Sequence, residues 1–187
     1  MRLLKWFTPV WIKILFKKPH FLTPLKRPFR NTKESQKMPE QKLQNKFYEN
    51  GLRFECQGSG KCCTSHGEFG HVFLTKEDRK RFAKHLNLRT SEFTKKYCDQ
   101  LGPIWRLKEE KGNPDCIFLK DKKCSVYEAR PTQCRTWPFW PEVMSAKAWK
   151  TDVESFCPGV GKGKLWSAKE IEEIMDLEKK SEASLGT

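Results

Sequence analysis

The run CIFLKDKKCSVYEARPTQCRTWPF, residues 116–139, carries the strongest indication of a fold in this chain. Two apolar stretches flank a turn at Asp121-Lys122, and this pattern predicts an antiparallel hairpin with Cys116 and Cys124 as rough cross-strand partners. A short helical turn over residues 128–134 follows and ends at Cys134. Three thiols therefore follow one another within a run of tight turns.

The segment before this run contains a further predicted strand. Residues 104–108 are strand-like, and a turn over residues 111–114, Lys-Gly-Asn-Pro, separates them from the hairpin. The runs 104–108, 116–119 and 123–127 together predict a three-stranded antiparallel meander.

Helices are predicted on both sides of this meander. Thr75, with Asp78 three residues later, begins one helix, and Thr90 begins a second that carries Phe93, Tyr97 and Leu101 on one face. Ser167 begins a third, over residues 167–183, with Glu170 at its third helical position and with three apolar residues on one face: Ile171, Ile174 and Leu177.

These elements predict an α+β fold and a chain that consists of three segments. Residues 1–46 form a flexible, basic, Pro-rich N-terminal arm, which is disordered or lies on a membrane surface. Residues 47–166 form a small cysteine-rich, metal-binding domain with several short helices around the three-stranded antiparallel meander. Residues 167–187 form a C-terminal helix and tail.

The positive charge is concentrated in the arm. Residues 1–46 hold 12 of the 37 Lys and Arg residues but only two acidic residues, so they carry +10 of the net +14. Residues 1–16 mix Trp, Phe, Leu and Lys, which suits peripheral contact with a membrane surface; a plain disordered extension is the alternative. Residues 47–187 lack a concentrated Lys/Arg face, which argues against a nucleic-acid-binding protein.

The eight cysteines invite a disulfide interpretation, which requires an oxidising compartment. The apolar stretch of residues 6–16 is interrupted by Pro9 and Lys13 and is followed by no small-residue cleavage site, unlike a signal peptide. It is also too short to span a membrane. We therefore expect a cytoplasmic protein with reduced thiols, associated with membranes, if at all, through its arm.

The cysteines form two groups along the chain. Cys56, Cys62 and Cys63 are separated by two glycines, which allow the tight turns that wrap a chain around a metal. The second group comprises Cys116, Cys124, Cys134 and Cys157. Their spacings match no standard zinc-finger, ribbon or ferredoxin pattern, so spacing alone favours a metal site but leaves disulfides and buried free thiols open.

Four cysteine and helix-start motifs follow one another along the chain. They are Cys56-x5-Cys62-Cys63, Leu74-Thr75-x-Glu77-Asp78, the run from Cys116 to Phe139, and Cys157-Pro158-Gly159-Val160-Gly161-Lys162-Gly163. Over about residues 50–170 the chain resembles the bacterial YkgJ-type cysteine-cluster family, described as a zinc- or iron-chelating domain. The resemblance implies seven metal ligands: Cys56, Cys62, Cys63, Cys116, Cys124, Cys134 and Cys157.

The chain departs from the family pattern at one position. Many relatives read Cys-x-x-Cys-Gly-x-Cys-Cys in the first block, whereas Ser59 stands here in the second cysteine's place. Serine is a poor ligand for zinc or iron, so a site using that position is expected to be smaller or differently completed. Cys98 lies outside the motif and is expected to be an ordinary half-buried cysteine on a helix. His66 and His71 are expected to be surface or strand histidines.

The expected cofactor is zinc or an iron–sulfur cluster, because thiolates suit both. An all-thiolate set near aromatic residues favours iron–sulfur slightly, since a dry shell protects a cluster; the aromatics in question are Trp137, Phe139, Trp140 and Phe156. Arg130 and Arg135 flank Cys134 and could donate hydrogen bonds to cluster sulfurs or bind an anionic group. Of the two, Arg135 is the candidate cofactor-binding residue.

The predicted function is metal binding with an unidentified protein partner. The alternative is an iron–sulfur-dependent enzyme component, redox or related to protein lysine methylation, because relatives include a module within flagellin lysine methylases. No nucleotide-binding glycine loop, nucleophile elbow or His-Glu hydrolase motif is present. We therefore assign no catalytic residue.

Overall fold

The computed structural model describes residues 46–64 and 71–187, which lie in one compact unit of the chain, residues 43–187. The predicted arm, except Lys46, and its membrane contact through residues 1–16 fall outside the described residues. Within the described residues, no helix has both the length and the apolarity needed to cross a bilayer.

Five α-helices and seven short strands make up the described part of the chain, which confirms the α+β class. The helices are α1 (Lys76–His85), α2 (Thr90–Tyr97), α3 (Thr132–Thr136), α4 (Ala146–Ala148) and α5 (Ala168–Ala183). The strands are β1 (Leu52–Phe54), β2 (Phe73–Leu74), β3 (Cys98–Leu101), β4 (Ile104–Leu107), β5 (Leu119–Lys120), β6 (Lys123–Cys124) and β7 (Val160–Trp166). Shorter 3-10 turns span Lys61–Cys63, Tyr127–Ala129 and Pro141–Val143, and a π-helical segment, Trp149–Glu154, continues α4.

The structure contains a three-stranded antiparallel sheet, but of the three strands predicted for the meander only residues 104–108 take part in it, as β4. Its order is β2-β4-β3, whereas β5 and β6 form a separate two-stranded hairpin. Within that hairpin Cys124 pairs with Leu119, so the prediction that Cys116 and Cys124 are cross-strand partners is wrong. Residues 116–118 lie in turns before β5.

The strand β3 replaces the predicted continuation of α2. Phe93, Tyr97 and Leu101 have helical spacing, but Leu101 is 43% exposed and contributes nothing to a buried face. The chain becomes extended at Cys98, which lies opposite Leu107 of β4. Pairing with β4 satisfies the backbone groups of this segment, so tertiary pairing overrides the local spacing.

Two hydrophobic cores hold these elements. The first lies between α1, α2 and the β2-β4-β3 sheet, where the ring of Phe82 stacks on Phe93 and Phe118 with centroids 5.1 and 5.3 Å away. The second lies between β1, β7 and α5, where Phe139 stacks on Trp149 at 6.0 Å.

Both predicted capping boxes form. Asp78 N–H donates to Thr75 Oγ1 at 3.1 Å and Thr75 N–H donates to Asp78 Oδ2 at 3.0 Å. At α5, Glu170 N–H donates to Ser167 Oγ at 3.3 Å and Ser167 N–H donates to Glu170 Oε2 at 2.9 Å. On α5, Ile171 is fully buried as predicted, but Leu177 is 48% exposed, so the apolar face is shorter than its spacing indicates.

A buried carboxyl joins α5 to α3. Glu178 is 3% exposed and accepts a hydrogen bond from the hydroxyl of Thr136. Burial raises the pKa of Glu178 from 4.5 to about 7. Between these values the folded protein keeps a proton that the unfolded chain has released, so stability is expected to fall as pH rises through this window.

We expect Glu178→Gln to remove that fall, because an amide does not titrate and can still accept from Thr136. Urea unfolding at about pH 5 and about pH 8 compares the two proteins in this window. The matched control is Glu173→Gln, an exposed position on the same helix, which should retain the wild-type slope. A wild-type slope in Glu178→Gln would show that another group causes the pH dependence.

Candidate metal centre

A glycine places the first pair of thiols. Gly60 has φ +67° and immediately precedes the 3-10 turn Lys61–Cys63. A Cβ atom at this position would lie 2.4 Å from the carbonyl oxygen of Lys122 in the β5–β6 turn. The backbone N–H of Cys116 then donates to the carbonyl of Cys63 at 2.7 Å. The turn that carries Cys62 and Cys63 is thereby fixed against the segment that carries Cys116 and Cys124.

We expect Gly60→Ala to displace this turn and to lower the melting temperature more than Gly58→Ala does. Both glycines have positive φ, at +67° and +63°, so both substitutions cost about 1 kcal/mol of backbone strain. Only Gly60 adds a clash, because nothing lies within 4 Å of a Cβ at Gly58. Comparing the melting temperatures of the two variants isolates the contribution of the close approach between Gly60 and Lys122. Equal losses would mean that the contact with Lys122 does not position the turn.

Five thiols interact with one another, and we call them the thiol cluster: Cys62, Cys63, Cys116, Cys124 and Cys134. The thiol of Cys63 is hydrogen-bonded with those of Cys116, Cys124 and Cys62. Cys134, on α3, lies near enough to Cys116, Cys62 and Cys124 for their charges to act on it. Three separate stretches of chain therefore contribute to one group of sulfurs.

The protonation of the thiol cluster is shared. Hydrogen bonding with Cys63 lowers the pKa of Cys124 to about 6 and that of Cys62 to about 7, and also lowers the pKa of Cys116. The same hydrogen bonds raise the pKa of Cys63. A thiol has one proton and can donate to one sulfur at a time, so the stabilised thiolate charge belongs to the group. Burial raises the pKa of Cys134 well above its usual range.

Backbone and side-chain donors surround these sulfurs. Backbone N–H groups of Phe118 and Val126 donate to the sulfurs of Cys116 and Cys124, and both hydrogen bonds lower the thiol pKa. The guanidinium of Arg130 adds a positive charge that favours the thiolate of Cys62 and of Cys124. Such donors stabilise negative sulfur, which is the form that binds metal.

The charge of Arg130 reaches the thiols of Cys62, Cys124 and Cys134. The Cζ atom of Arg130 lies 3.5 Å from the ring centroid of Tyr127, and its Nε donates to the Tyr127 carbonyl at 2.9 Å. Arg130 and Arg135 both flank Cys134 in the sequence, which was the signal available for either arginine. Arg135 is exposed on α3, and its assignment to cofactor binding stays a prediction.

Cys56 and Cys157 lie beside the thiol cluster, around a cavity of about 30 Å³ that Cys62 also lines. Antiparallel pairing of β1 with β7 brings them together, since the N–H of Glu55 donates to the carbonyl of Gly159 at 3.1 Å. We call this space the thiol cavity; its other lining residues are Gln57, Ser59, Gly60, Lys61, Trp137, Phe156 and Pro158. Cys62 is thus common to the thiol cluster and the thiol cavity.

Two of the four aromatics expected near the metal line the thiol cavity. They are Trp137 and Phe156. Phe139 instead belongs to the second core, and the indole N–H of Trp140 donates to the Gln133 carbonyl at 2.9 Å. The apolar shell is therefore on the cavity side, and Phe139 has a packing role.

The remaining candidates lie elsewhere. Cys98 is in the first core and only 5% exposed, which corrects its expected half-buried position on a helix. Burial raises the pKa of Cys98 to about 12, with Arg79, Lys108 and Asp99 as the nearby charges. His71 is hydrogen-bonded with Glu109 and Arg106, as expected of a strand-end histidine, and His66 falls outside the described residues.

The donor set fits a thiophilic metal in its chemistry. Thiolates bind zinc and iron–sulfur clusters, and the neighbouring N–H donors and guanidinium suit negative sulfur. In residues 46–64 and 71–187, no three His, Cys, Asp or Glu side chains have the mutual arrangement of a formed metal site. The sulfurs of the thiol cluster are arranged around hydrogen bonds to one another, and a metal would replace the protons of those bonds.

The fold and site define a cysteine-rich α+β domain with a clustered set of thiols. A family model described as "Putative zinc- or iron-chelating domain", with the motif name CxxCxxCC, matches residues 55–158. The chain belongs to this family. Family membership supports metal binding, without specifying a particular cluster.

One curated relative is the uncharacterized protein MJ0661 of Methanocaldococcus jannaschii. It is 34% identical over 113 residues, which are 59% of this chain and 58% of the relative. The match therefore spans a little over half the length of that relative. No solved structure matches the chain.

Proposed function

We propose that this protein binds zinc or an iron–sulfur cluster through the thiolates of the thiol cluster. The observation that carries the proposal is the hydrogen-bonded contact of Cys63 with three other thiols, Cys62, Cys116 and Cys124. These residues come from a glycine turn, the segment before β5, and β6. Bringing thiols together from such separate segments supplies ligands without long-range rearrangement of the chain.

Cys63, Cys116, Cys124 and Cys134 are the ligands that we propose for the centre of the cluster, with Cys62 at its exposed edge. Cys63 is 8% exposed, and the three others are half-buried. Four thiolates suffice for a closed structural zinc site or for an iron–sulfur cluster. When bound, such a group would cross-link the turn at residues 61–63, the β5–β6 hairpin and α3.

Iron–sulfur is slightly favoured over zinc. The reason is the aromatic wall beside Cys62, at the edge of the thiol cluster, where Trp137 packs edge-on against Trp140 at 4.8 Å and against Phe156 at 6.4 Å between ring centroids. Aromatic walls exclude water, which protects a cluster and tunes its potential. Zinc has no such requirement, although the walls do not disfavour it.

Anaerobic purification tests the proposal directly. We expect metal to copurify, and elemental analysis together with acid-labile sulfide and the visible spectrum distinguishes the two cofactors. Iron with equivalent sulfide and a brown colour indicates a cluster, whereas zinc without sulfide indicates a mononuclear site. Protein that contains neither metal and whose thiols are paired as disulfides would overturn the proposal.

A further inference from the structure

We propose that Cys56 and Cys157 form a reversible disulfide across the thiol cavity, which makes this part of the protein a thiol–disulfide redox site. Both residues line the cavity, and neither belongs to the thiol cluster, to which the proposed function assigns the metal. The inference therefore goes beyond the proposed function and does not need a bound metal.

Three cysteines line the thiol cavity, and one of them has a partner in the thiol cluster. Cys62 is hydrogen-bonded with Cys63. The family motif would place a further cysteine at position 59, but the serine in this chain cannot form a disulfide. Cys56 and Cys157 are therefore the two thiols of the cavity that remain to react with each other.

Strand pairing brings the backbones of the two cysteines near each other. The N–H of Glu55 donates to the carbonyl of Gly159 at 3.1 Å; Cys56 follows Glu55 directly, and Cys157 lies shortly before Gly159. The two segments approach closely, because a Cβ atom at Gly159 would lie 2.4 Å from the carbonyl oxygen of Glu55. Paired strands lie about 4.8 Å apart, and disulfides join Cα atoms about 4.4–6.8 Å apart, so the spacing of these segments suits such a bond.

The thiol cavity is small enough for a bond to form across it. Its volume is about 30 Å³, which is room for about one or two water molecules. Rotation about the Cα–Cβ bond moves a cysteine sulfur between staggered positions. Two thiols on the wall of so small a space can therefore meet within it.

The two thiols differ in their access to solvent. Cys56 is exposed, whereas Cys157 is half-buried and packs against the second core. The hydroxyl of Tyr127, a 39% exposed residue, is hydrogen-bonded with Cys56, which holds that sulfur at the protein surface. An external disulfide can thus reach Cys56 more readily than Cys157, so we expect Cys56 to react first and Cys157 to complete the exchange.

The reaction has two steps, with a small-molecule disulfide, glutathione disulfide, as the oxidant. The thiolate of Cys56 attacks one sulfur of the oxidant, which forms a mixed disulfide and releases one small thiol. The thiolate of Cys157 then attacks the Cys56 sulfur, which forms the bond between the two cysteines and releases the second small thiol. The two electrons and two protons that the cysteines lose appear in the two molecules of small thiol.

The disulfide would close a loop that contains the whole thiol cluster. All five residues of the thiol cluster lie between Cys56 and Cys157 in the sequence. A disulfide restricts the unfolded chain more when the loop that it closes is longer, and this loop has about 100 residues. We therefore expect the oxidised protein to have a higher melting temperature than the reduced protein, and Cys56→Ser to show no such difference.

A glutathione redox titration of the full-length protein tests the inference. Protein as purified anaerobically is equilibrated with reduced and oxidised glutathione, its free thiols are alkylated in denaturant, and its peptides are mapped by mass spectrometry. We expect one disulfide, between Cys56 and Cys157, and alkylation of the other six cysteines.

Three variants identify the role of each thiol. Cys157→Ser should stop at a mixed disulfide of glutathione with Cys56, whereas Cys56→Ser should not form the internal disulfide. Cys56 is exposed, so its substitution should leave folding intact even where that of Cys157 does not. Cys98→Ala is the matched control and should form the same disulfide as the wild type.

The outcomes separate this inference from the proposed function. The inference is wrong if Cys56 and Cys157 stay reduced at every glutathione ratio, or if either pairs with Cys62 instead; bound metal in the same sample would still support the proposed function. A disulfide between Cys56 and Cys157 in protein that contains no metal would support the inference and contradict the proposed function. Loss of the metal in Cys56→Ser would identify Cys56 as a metal ligand and overturn its assignment to the redox site.

Discussion

Cys63→Ser is expected to lose the bound metal and to lower the free energy of unfolding by about 4 kcal/mol or more. The thiol of Cys63 interacts with three other thiols of the thiol cluster. Its replacement therefore removes both a metal ligand and the hydrogen bonds among these thiols. Loss of a metal site is among the few mechanisms that give single-residue effects of this size, because metal-binding free energy is folding free energy. Metal content and urea unfolding, measured on the same anaerobic sample, give both quantities.

Cys98→Ala is the control for this result. Cys98 is also buried, but it packs in the first core away from the hydrogen-bonded thiols. Its truncation should cost about 1 kcal/mol of packing and should leave the metal content unchanged. If Cys98→Ala abolishes metal binding while Cys63→Ser does not, the assignment of ligands to the thiol cluster is wrong.

Asp78→Ala is expected to destabilise the fold by about 3 kcal/mol. Asp78 is 1% exposed and joins the first turns of two helices. Its carboxylate accepts from Thr75 Oγ1 at 2.7 Å, from Thr132 N–H at 2.9 Å and from Thr132 Oγ1 at 3.0 Å, and it pairs with Arg81. Removing it leaves buried donors without their acceptor and the half-buried guanidinium of Arg81 without its carboxylate partner, which is costly in a low-dielectric interior.

The substitution is also expected to weaken metal binding. Thr132 begins α3, two residues before Cys134, so the carboxylate of Asp78 positions the helix that carries this thiol. Thermal unfolding and metal content should both change. Glu77→Ala is the control, because Glu77 is the neighbouring acid in the same turn and its pair with Lys80 is exposed. It should change stability by less than about 1 kcal/mol, and equal effects of the two substitutions would refute the proposed role of the buried carboxylate.

Features that depend on neighbouring residues could be predicted from the sequence. The capping boxes at Thr75 and Ser167 form as predicted, because a cap needs only a hydroxyl and an acid three residues later. The glycine turn before Cys62 also forms, since Gly60 takes a left-handed conformation that other residues rarely adopt. The family resemblance likewise follows from motifs in order along the chain.

Features that depend on which segments pair could not be predicted. Leu101 has the spacing of a helix face, yet β3 forms because the backbone of β4 is available beside it. Cys116 and Cys124 do come together, but around Cys63 rather than across a hairpin. The spacing of apolar residues indicates the conformation of one segment, whereas strand pairing depends on residues that are distant in the sequence.

The class of this protein, an α+β, cysteine-rich domain of a zinc- or iron-chelating family, could be predicted from the amino-acid sequence alone. The grouping of its thiols, the action of the Arg130 charge on them, and the cavity that Cys56 and Cys157 share with Ser59 became visible only in the folded structure. The two sets of features differ in how far apart in the sequence the interacting residues lie. Caps, turns and motifs are local properties of the chain, while the proximity of sulfurs and the burial of charges arise only when separate segments pack together.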